Sequence, residues 1–426
     1  MKKIDYAWWV LAGLFLLYMA TNGILLNTLP LLYPELTAEF GWNEAEVTRP
    51  ASLFLLLTAL LTPILGALCD RYPARRIMFF GVILIVVPLG FYAHISTLNQ
   101  MTLIYLTCSV GLAGCGLVAS MLILSRWFVE RRGLAVGIFL MASSLGGALF
   151  PLLAKTTLAE QGWREAITLI AIVGGIMMGM GLLLIRNQRP DTDRTDEEAA
   201  PKASAVEPAN VPGITLMEAV KLPAFYLMMV ATAALWFCIV GILQHQSIFL
   251  GQDLGVDRGE LPVIFSVFFW SAIVGKVLFG YLGDHFNKVW ILLLSIINLM
   301  LGLVVLRMVD PSSNLTLFGY AVVYGVGFAG AFSAIQLVLA EFFAGPSYGR
   351  ILGLFTMVDS LAGAAGIQFL GMRRVADESY LPALNGLIIM LIVVAALVAL
   401  LRRFQPQRSA TAGSDTGSEP GPAPAS

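Results

Sequence analysis

The sequence predicts an all-α membrane protein with twelve transmembrane helices in two pseudo-symmetric six-helix bundles. The first observation is composition: the 426-residue chain is 58% hydrophobic and 12% charged, with a mean hydropathy of +0.82. A soluble domain carries about 25% charged residues, so this composition indicates an integral membrane protein. The other two observations are twelve apolar stretches of spanning length and charged motifs that recur between the two halves.

The apolar stretches divide the chain into four parts. Residues 1–186 form an N-terminal six-helix bundle, 187–222 a cytoplasmic linker with a short amphipathic segment, 223–403 a C-terminal six-helix bundle, and 404–426 a tail. The linker and the tail contain too few apolar residues to bury a core, so both are predicted to be disordered. The predicted spans are residues 7–33, 47–69, 77–95, 101–125, 133–156, 164–186, 224–249, 260–283, 289–308, 315–341, 350–372 and 381–402.

The distribution of basic residues predicts the orientation of the chain. If the N-terminus is cytoplasmic, 18 of the 26 lysines and arginines fall on the cytoplasmic side, seven fall outside, and Lys276 lies within a span. Cytoplasmic loops carry an excess of Lys and Arg. Both termini and the linker are therefore predicted to be cytoplasmic, in a multi-pass protein of the cell's inner or plasma membrane.

Charged motifs at the predicted cytoplasmic ends indicate a duplicated six-span unit. A Gly-x3-Asp motif follows the second span and recurs 214 residues later after the eighth, and Arg126-Trp127-Phe128 corresponds to Glu341-Phe342-Phe343 at an offset of 215. Glycine permits close helix packing, and the charges can stabilise one conformation of a cytoplasmic gate. The candidate gate residues are Gly66, Asp70, Arg71, Arg75, Arg76, Gly280, Asp284, Arg126 and Arg132.

Lys276 is the main candidate for a functional residue because it interrupts the eighth span. A lysine at the centre of a membrane helix costs roughly 3 kcal/mol on insertion scales and more in simulations. Such a residue normally faces a partner, a cavity or a substrate. Asp359, in the eleventh span, lies about 5 Å from Lys276 in predicted depth, within reach of a lysine side chain. We expect the two to pair and to line a central cavity; the alternative is a purely structural ion pair within the C-terminal half.

The chain resembles the major facilitator superfamily from about residue 7 to 402, on its twelve spans, its central linker and the motif GALCDRYPARR (66–76). It resembles more narrowly the monocarboxylate transporter and oxalate–formate antiporter branch. This likeness rests on FGW (40–42), on the stretch from Arg126 to Pro151, and on Lys276-x3-Gly280-x3-Asp284. In that branch the position of Lys276 usually holds an arginine that pairs with a substrate carboxylate. The oxalate transporter has a lysine where this chain has Asp359, and this departure from the pattern indicates a substrate that is a monoanion or less charged.

Weaker candidates for substrate binding or coupling are polar or aromatic residues near the middle of spans. Each has a plainer alternative, either hydrogen bonding between helices or packing against lipid and neighbouring side chains. With Lys276 and Asp359, the candidate set is completed by Asn22, Asn27, Trp236, Trp270 and Tyr324.

We therefore expect a secondary active transporter that moves a small organic monocarboxylate by alternating access, with a proton as co-substrate. One alternative is a proton-antiport exporter of amphipathic compounds, and another is a transporter-like membrane sensor. No phosphate-cradling loop occurs and the three histidines are scattered, so we expect no enzyme activity, metal or cofactor. The expected partners are the small anion, a proton and the lipid bilayer, without nucleic acid, and the expected state is a monomer.

Overall fold

The computed structural model describes residues 6–128, 132–187, 214–257, 259–345 and 347–404; within these ranges the side chains of Gly66, Asp70, Arg132 and Gly133 are not described. The described residues contain twelve helical stretches long and apolar enough to cross a membrane. This confirms the predicted all-α fold. The predictions of a disordered linker and tail fall largely outside the described residues.

The N-terminal half contains the first six spans, and side-chain caps define several of its helix ends. Asn43 and Glu46 form a reciprocal capping box at the start of α3, and Thr97 and Gln100 form another before α5, so each cap satisfies free N–H groups of its first turn. The elements are α1 (Tyr6–Asn22), a π-helical turn (Gly23–Thr28), a 3-10 turn (Leu29–Leu32), α2 (Tyr33–Phe40), α3 (Glu44–Arg71), α4 (Ala74–Tyr92), α5 (Leu98–Cys115), α6 (Leu117–Trp127), α7 (Arg132–Glu160) and α8 (Trp163–Leu184).

The C-terminal half repeats this arrangement with six further spans. A short helix, α9, precedes it and is attached through a hydrogen bond from the Ile214 N–H to the Ala344 carbonyl. The elements are α9 (Leu216–Ala219), α10 (Pro223–Ile248), a π-helical turn (Phe249–Asp253), α11 (Leu261–His285), α12 (Lys288–Arg307), α13 (Asn314–Phe343), α14 (Tyr348–Asp377), α15 (Leu381–Leu401) and a 3-10 turn (Arg402–Phe404).

Two helix pairs, α3 with α14 and α7 with α11, form most of the contact between the two halves, and α10 also contacts the 3-10 turn, α2 and α3. In one pair the Ser52 hydroxyl donates to the Ala364 carbonyl at 2.7 Å, and in the other the Ser266 hydroxyl donates to the Ala148 carbonyl at 2.7 Å. Ser266 follows Ser52 by 214 residues, the offset of the repeated Gly-x3-Asp motif, and Ala364 follows Ala148 by 216. The two interfaces are therefore pseudo-symmetric copies of one contact.

The halves touch at one end of the molecule and separate toward the other. We call the end at which α3 and α8 finish and α10 begins the linker end, and the opposite one the distal end. Among the described residues, the side-chain hydrogen bonds and ion pairs between halves lie at the distal end or near the middle of the helices.

Two pairs of positions on α7 and α11 show where the separation begins. A Cβ atom on Gly147 would lie 2.6 Å from the ring of Phe269, so only glycine allows this approach. Gly137 on α7 and Gly280 on α11 both lie closer to the linker end than this contact. Nothing lies within 4 Å of a Cβ built on either of these two glycines. The helices therefore diverge toward the linker end.

Candidate functional site

Lys276 lies on α11 at the last bonded contact before the two halves separate. Its Nζ atom donates to the Leu140 carbonyl at 2.9 Å and contacts the Ser143 hydroxyl oxygen at 3.4 Å, both on α7 in the other half. The ammonium also lies 5.6 Å from the centre of the Phe332 ring on α13, a cation–π distance. A lysine ammonium carries three N–H donors, so one donor remains for a ligand.

Ser143 connects Lys276 to the first span. Its hydroxyl donates to the Leu140 carbonyl at 3.3 Å, and its own carbonyl accepts a hydrogen bond from Asn27 at 3.0 Å. Asn27 lies in the π-helical turn, which packs closely on α7: a Cβ on Gly146 would be 2.9 Å from the Cα of Gly23. Such turns occur frequently at functional sites. The structure thus brings Asn27 and Lys276 together around one serine.

Asp359, on α14, is the buried carboxyl group of this region. Its side chain is 7% exposed, and its Oδ1 atom has no hydrogen-bond partner among the described residues. Thr232 on α10 faces the carboxyl group. The Thr232 hydroxyl lies 3.3 Å from the Met229 carbonyl in its own helix. A buried carboxylate oxygen without a hydrogen-bond donor is energetically costly. Binding of a proton, or a hydrogen bond from a ligand, would therefore stabilise Asp359 at this oxygen.

An aromatic pair, Trp236 and Phe332, lies beside Lys276. Trp236 follows Thr232 by four residues on α10 and so shares its face. Its ring meets Phe332 edge to face, with centroids 6.1 Å apart, and Phe332 in turn contacts Lys276. The cation therefore lies beside an aromatic pair, and Trp236 of that pair is one helical turn from Thr232, which faces Asp359.

The expected Lys276–Asp359 ion pair is not formed in this structure, whether lining a cavity or as a structural lock. Asp359 follows Ser143 by 216 residues, the offset that separates Ala148 from Ala364. By this offset Asp359 on α14 corresponds to Ser143 on α7, and Ser143 is the residue that contacts Lys276. The two charged residues are close in depth but belong to different interfaces.

The remaining candidates lie in three different settings. The Asn22 amide donates within its own helix to the Tyr18 carbonyl and contacts the Thr21 hydroxyl, each at 3.3 Å. Tyr324 is 1% exposed and packs between Phe268 and Tyr320 in the core of the C-terminal half. Trp270 is 46% exposed on the outer face of α11 and does not join the Lys276 group.

The predicted gate residues at the linker end are exposed in this conformation. Arg71, Arg75, Arg76, Arg126 and Asp284 form no ion pair with a described residue, as expected where the halves are apart. The side chains of Gly66, Asp70 and Arg132 are outside the described set, and Gly280 faces open space. Among the described motif residues on this side, Lys288 pairs with Glu341 at 3.7 Å.

A polar cluster at the distal end was missed by the sequence analysis. Arg374 on α14 binds Asp253 at 2.9 Å and reaches Glu44, at the start of α3 in the other half, at 3.7 Å. Asp253 also accepts a hydrogen bond from the Tyr380 N–H at 3.3 Å. We call these residues, with His245, the distal cluster. It links the halves where they touch.

His245 is fully engaged within the distal cluster. Its Nε2 atom lies 2.9 Å from the Ile367 carbonyl and must donate to it, so Nδ1 accepts from the Tyr380 hydroxyl at 2.6 Å. Burial raises the pKa of Tyr380 well above its usual value, which keeps that hydroxyl a donor. These two hydrogen bonds hold the imidazole in place within the distal cluster.

Comparison with known proteins identifies similar chains. The sequence model described as Major Facilitator Superfamily matches residues 10–366 and 246–425. Monocarboxylate transporter 13 of Rattus norvegicus is 26% identical over 88% of this chain and 84% of its own length, and the fosmidomycin resistance protein of Escherichia coli K12 is 24% identical over 84% of each. The structure of a bacterial homologue of the human lysosomal transporter Spinster superposes with a TM-score of 0.70 at 18% identity, covering 95% of this chain and 98% of that one.

Proposed function

The chain belongs to the Major Facilitator Superfamily, and from that premise we propose that it is a proton-coupled symporter of small organic monocarboxylates. It is a secondary transporter in a membrane. The finer assignment is supported by the site and by the relatives named as monocarboxylate transporters. Transport proceeds by alternating access, with the two six-helix bundles moving about the site that contains Lys276.

The observation that carries the proposal is the bonding of Lys276. Its ammonium contacts a carbonyl, a hydroxyl and an aromatic ring, and no carboxylate of the described chain neutralises it. A cation held by neutral groups in a poorly solvated site is best stabilised by an incoming anion. One anionic group is enough to neutralise it, which favours a monocarboxylate over a dicarboxylate.

Asp359 is the proposed proton carrier. Its Oδ1 atom is buried without a donor, and α14, on which it lies, contacts the other half through Ser52 and Glu44. When the halves move, the water access of this carboxyl group changes. Proton uptake at one side and release at the other then couple the pH gradient to the movement of the bundles.

The distribution of basic residues assigns the two ends in this proposal. With the linker end in the cytoplasm, the present conformation is closed to the outside and open to the inside. Because Lys276 bonds across the interface, a substrate carboxylate that takes over its donors also loosens the contact between α7 and α11. Substrate binding thereby lowers the cost of reorientation.

Uptake into proteoliposomes tests the proposal. A panel of labelled monocarboxylates, dicarboxylates and amino acids is presented with and without an imposed pH gradient. The proposal expects at least one monocarboxylate to accumulate when the substrate side is acid, and expects dicarboxylates not to. Binding without flux would support the sensor alternative and contradict transport.

Export is a second candidate, favoured by one observation. The similar proteins include the fosmidomycin resistance protein, and a buried carboxyl group with one unpartnered oxygen also suits a proton antiporter. The two candidates differ in the sign of the proton effect. Accumulation driven by acid on the side opposite to the substrate would identify antiport and overturn symport.

A further inference from the structure

A groove on the outside of the N-terminal half combines apolar walls with two arginines. It lies between the start of α4 and the end of α8, at the linker end, and encloses about 680 Å³. It is lined by Arg75, Arg76, Phe79, Phe80, Gly179, Leu182 and Leu183. None of these residues belongs to the site around Lys276.

The walls of the groove are apolar and face away from the protein. Phe79 is 52% exposed, Phe80 is 63% exposed and Leu183 is 74% exposed. A Cβ built on Gly179 would meet nothing within 4 Å, so the glycine leaves the groove open at that point. On a membrane-spanning helix pair, such surface is suited to acyl chains.

The rim of the groove is cationic and unneutralised. The side chains of Arg75 and Arg76 are exposed, and neither guanidinium forms an ion pair with any described residue. The rim is fixed in place because the Arg75 N–H donates to the Asn187 side chain at 2.9 Å, which ties α4 to the end of α8. Guanidinium groups bind phosphate oxygens in bidentate fashion.

The pseudo-symmetric position in the C-terminal half is built differently. The offset of 214 places Val289 and Trp290 where the N-terminal half has Arg75 and Arg76. There Lys288 pairs with Glu341 at 3.7 Å, and Arg402 lies 4.5 Å over the Trp290 ring. The pair of free guanidinium groups above an apolar groove is therefore a property of one half, beyond the general excess of basic residues at this end.

From this combination we propose that the groove between α4 and α8 is a binding site for one anionic phospholipid. The phosphate lies between Arg75 and Arg76, and the acyl chains run along Phe80 and Leu183 toward the middle of the membrane. Charge complementarity at the rim and apolar complementarity along the walls select this occupant over a zwitterionic lipid. The site is independent of the transported substrate.

Native mass spectrometry of the full-length protein in detergent, titrated with phosphatidylglycerol or phosphatidylcholine, tests the proposal. The expected result is a preference for phosphatidylglycerol on the order of tenfold. The double variant Arg75→Gln/Arg76→Gln should lose it, whereas Arg402→Gln/Arg403→Gln, the matched pair in the other half, should keep it. Equal retention of the two lipids, or equal losses in the two double variants, would overturn the proposal.

A second variant distinguishes binding of a whole phospholipid from binding of its phosphate headgroup alone. Leu183→Trp fills the groove and leaves both arginines in place, so it should weaken phosphatidylglycerol binding without removing the rim charge. Inorganic phosphate serves as the probe for the headgroup alone. If Leu183→Trp binds phosphatidylglycerol as the parent does, and inorganic phosphate displaces the lipid at equal concentration, the site is one for a free anion and the lipid proposal is wrong. Thermal unfolding by circular dichroism verifies that each variant is folded.

Discussion

The Nζ atom of Lys276 lies 2.9 Å from the carbonyl oxygen of Leu140, so the lysine that interrupts the eighth predicted span bonds across the boundary between the two halves. The side chain of Lys276 is therefore both the proposed binding group for the substrate anion and part of the contact between α7 and α11. Anything that competes for the ammonium acts on both. This relationship is the basis of the predictions that follow.

A carboxylate placed beside Lys276 should act as a built-in substrate analogue. Ser143→Asp puts a carboxyl group where the Ser143 hydroxyl now lies, 3.4 Å from the ammonium. We expect it to lower the affinity for monocarboxylates at least tenfold, since a charge-assisted hydrogen bond contributes about 1.5–3 kcal/mol. The control is Ser143→Asn, which has nearly the same shape without the charge and should stay within about threefold of the parent. Competition binding with a labelled monocarboxylate measures the effect, and equal losses in both variants would count against a free anion site at Lys276.

Replacing Asp359 by a side chain that cannot take up or release a proton should uncouple transport from the pH gradient. Asp359→Asn keeps the size of the buried side chain but cannot change its charge. Exchange of substrate at equal pH should persist, while stimulation by an acid gradient disappears. The control is Asp310→Asn in a loop at the distal end, where hydrogen bonds from Ser312 hold the carboxyl pKa below its usual range and keep it ionised. An unchanged gradient response in Asp359→Asn would remove that residue from coupling.

A side chain at Gly147 should oppose the present conformation. A Cβ there would lie 2.6 Å from Phe269, whereas one at Gly137, on the same helix, would meet nothing within 4 Å. Gly147→Val should therefore increase the separation of the halves at the distal end, and Gly137→Val should not. Spin labels at the exposed residues Glu160 and Ser312 report the distance between the halves by double electron–electron resonance, a form of electron paramagnetic resonance. A distribution for Gly147→Val that matches the parent would show that this contact does not set the conformation.

The ion pair between Arg374 and Glu44 should favour closure of the distal end. Arg374→Gln removes the link between halves and one partner of Asp253. We expect the open population to rise about fivefold, since such a pair contributes about 1 kcal/mol. The control is Arg373→Gln, which breaks only the exposed pair with Asp377 on the same helix. The same spin-label pair measures the populations; identical shifts in the two variants would assign the effect to surface charge.

Much of the fold can be predicted from the sequence because the length of each apolar span and the positions of the charges are counted directly along the chain. Twelve apolar stretches predicted twelve helices, and the offset of 214 between Gly66 and Gly280 reappears as the offset between Ser52 and Ser266 in the two interfaces. The π-helical turn that carries Asn27 was not predicted, since hydropathy does not report the hydrogen-bond register of a helix.

The arrangement of the site was harder to predict because depth is only one of its coordinates. The rise per residue predicted that Lys276 and Asp359 lie at similar depth in the membrane. Whether they face each other depends on which helices are neighbours, and the rise per residue does not give that. The distal cluster was missed for a different reason. Glu44, Asp253 and Arg374 lie at span ends, where charged residues are ordinarily solvated, and only the tertiary structure brings them together.

The central claim is that Lys276 binds the substrate carboxylate. Equilibrium binding of a labelled monocarboxylate to the purified protein tests it most directly, with Lys276→Ala and Lys276→Arg compared at equal folded concentration. We expect Lys276→Ala to weaken binding by about 10- to 100-fold, while Lys276→Arg, which keeps the charge, retains most of the affinity. A dissociation constant for Lys276→Ala equal to that of the parent would contradict the account.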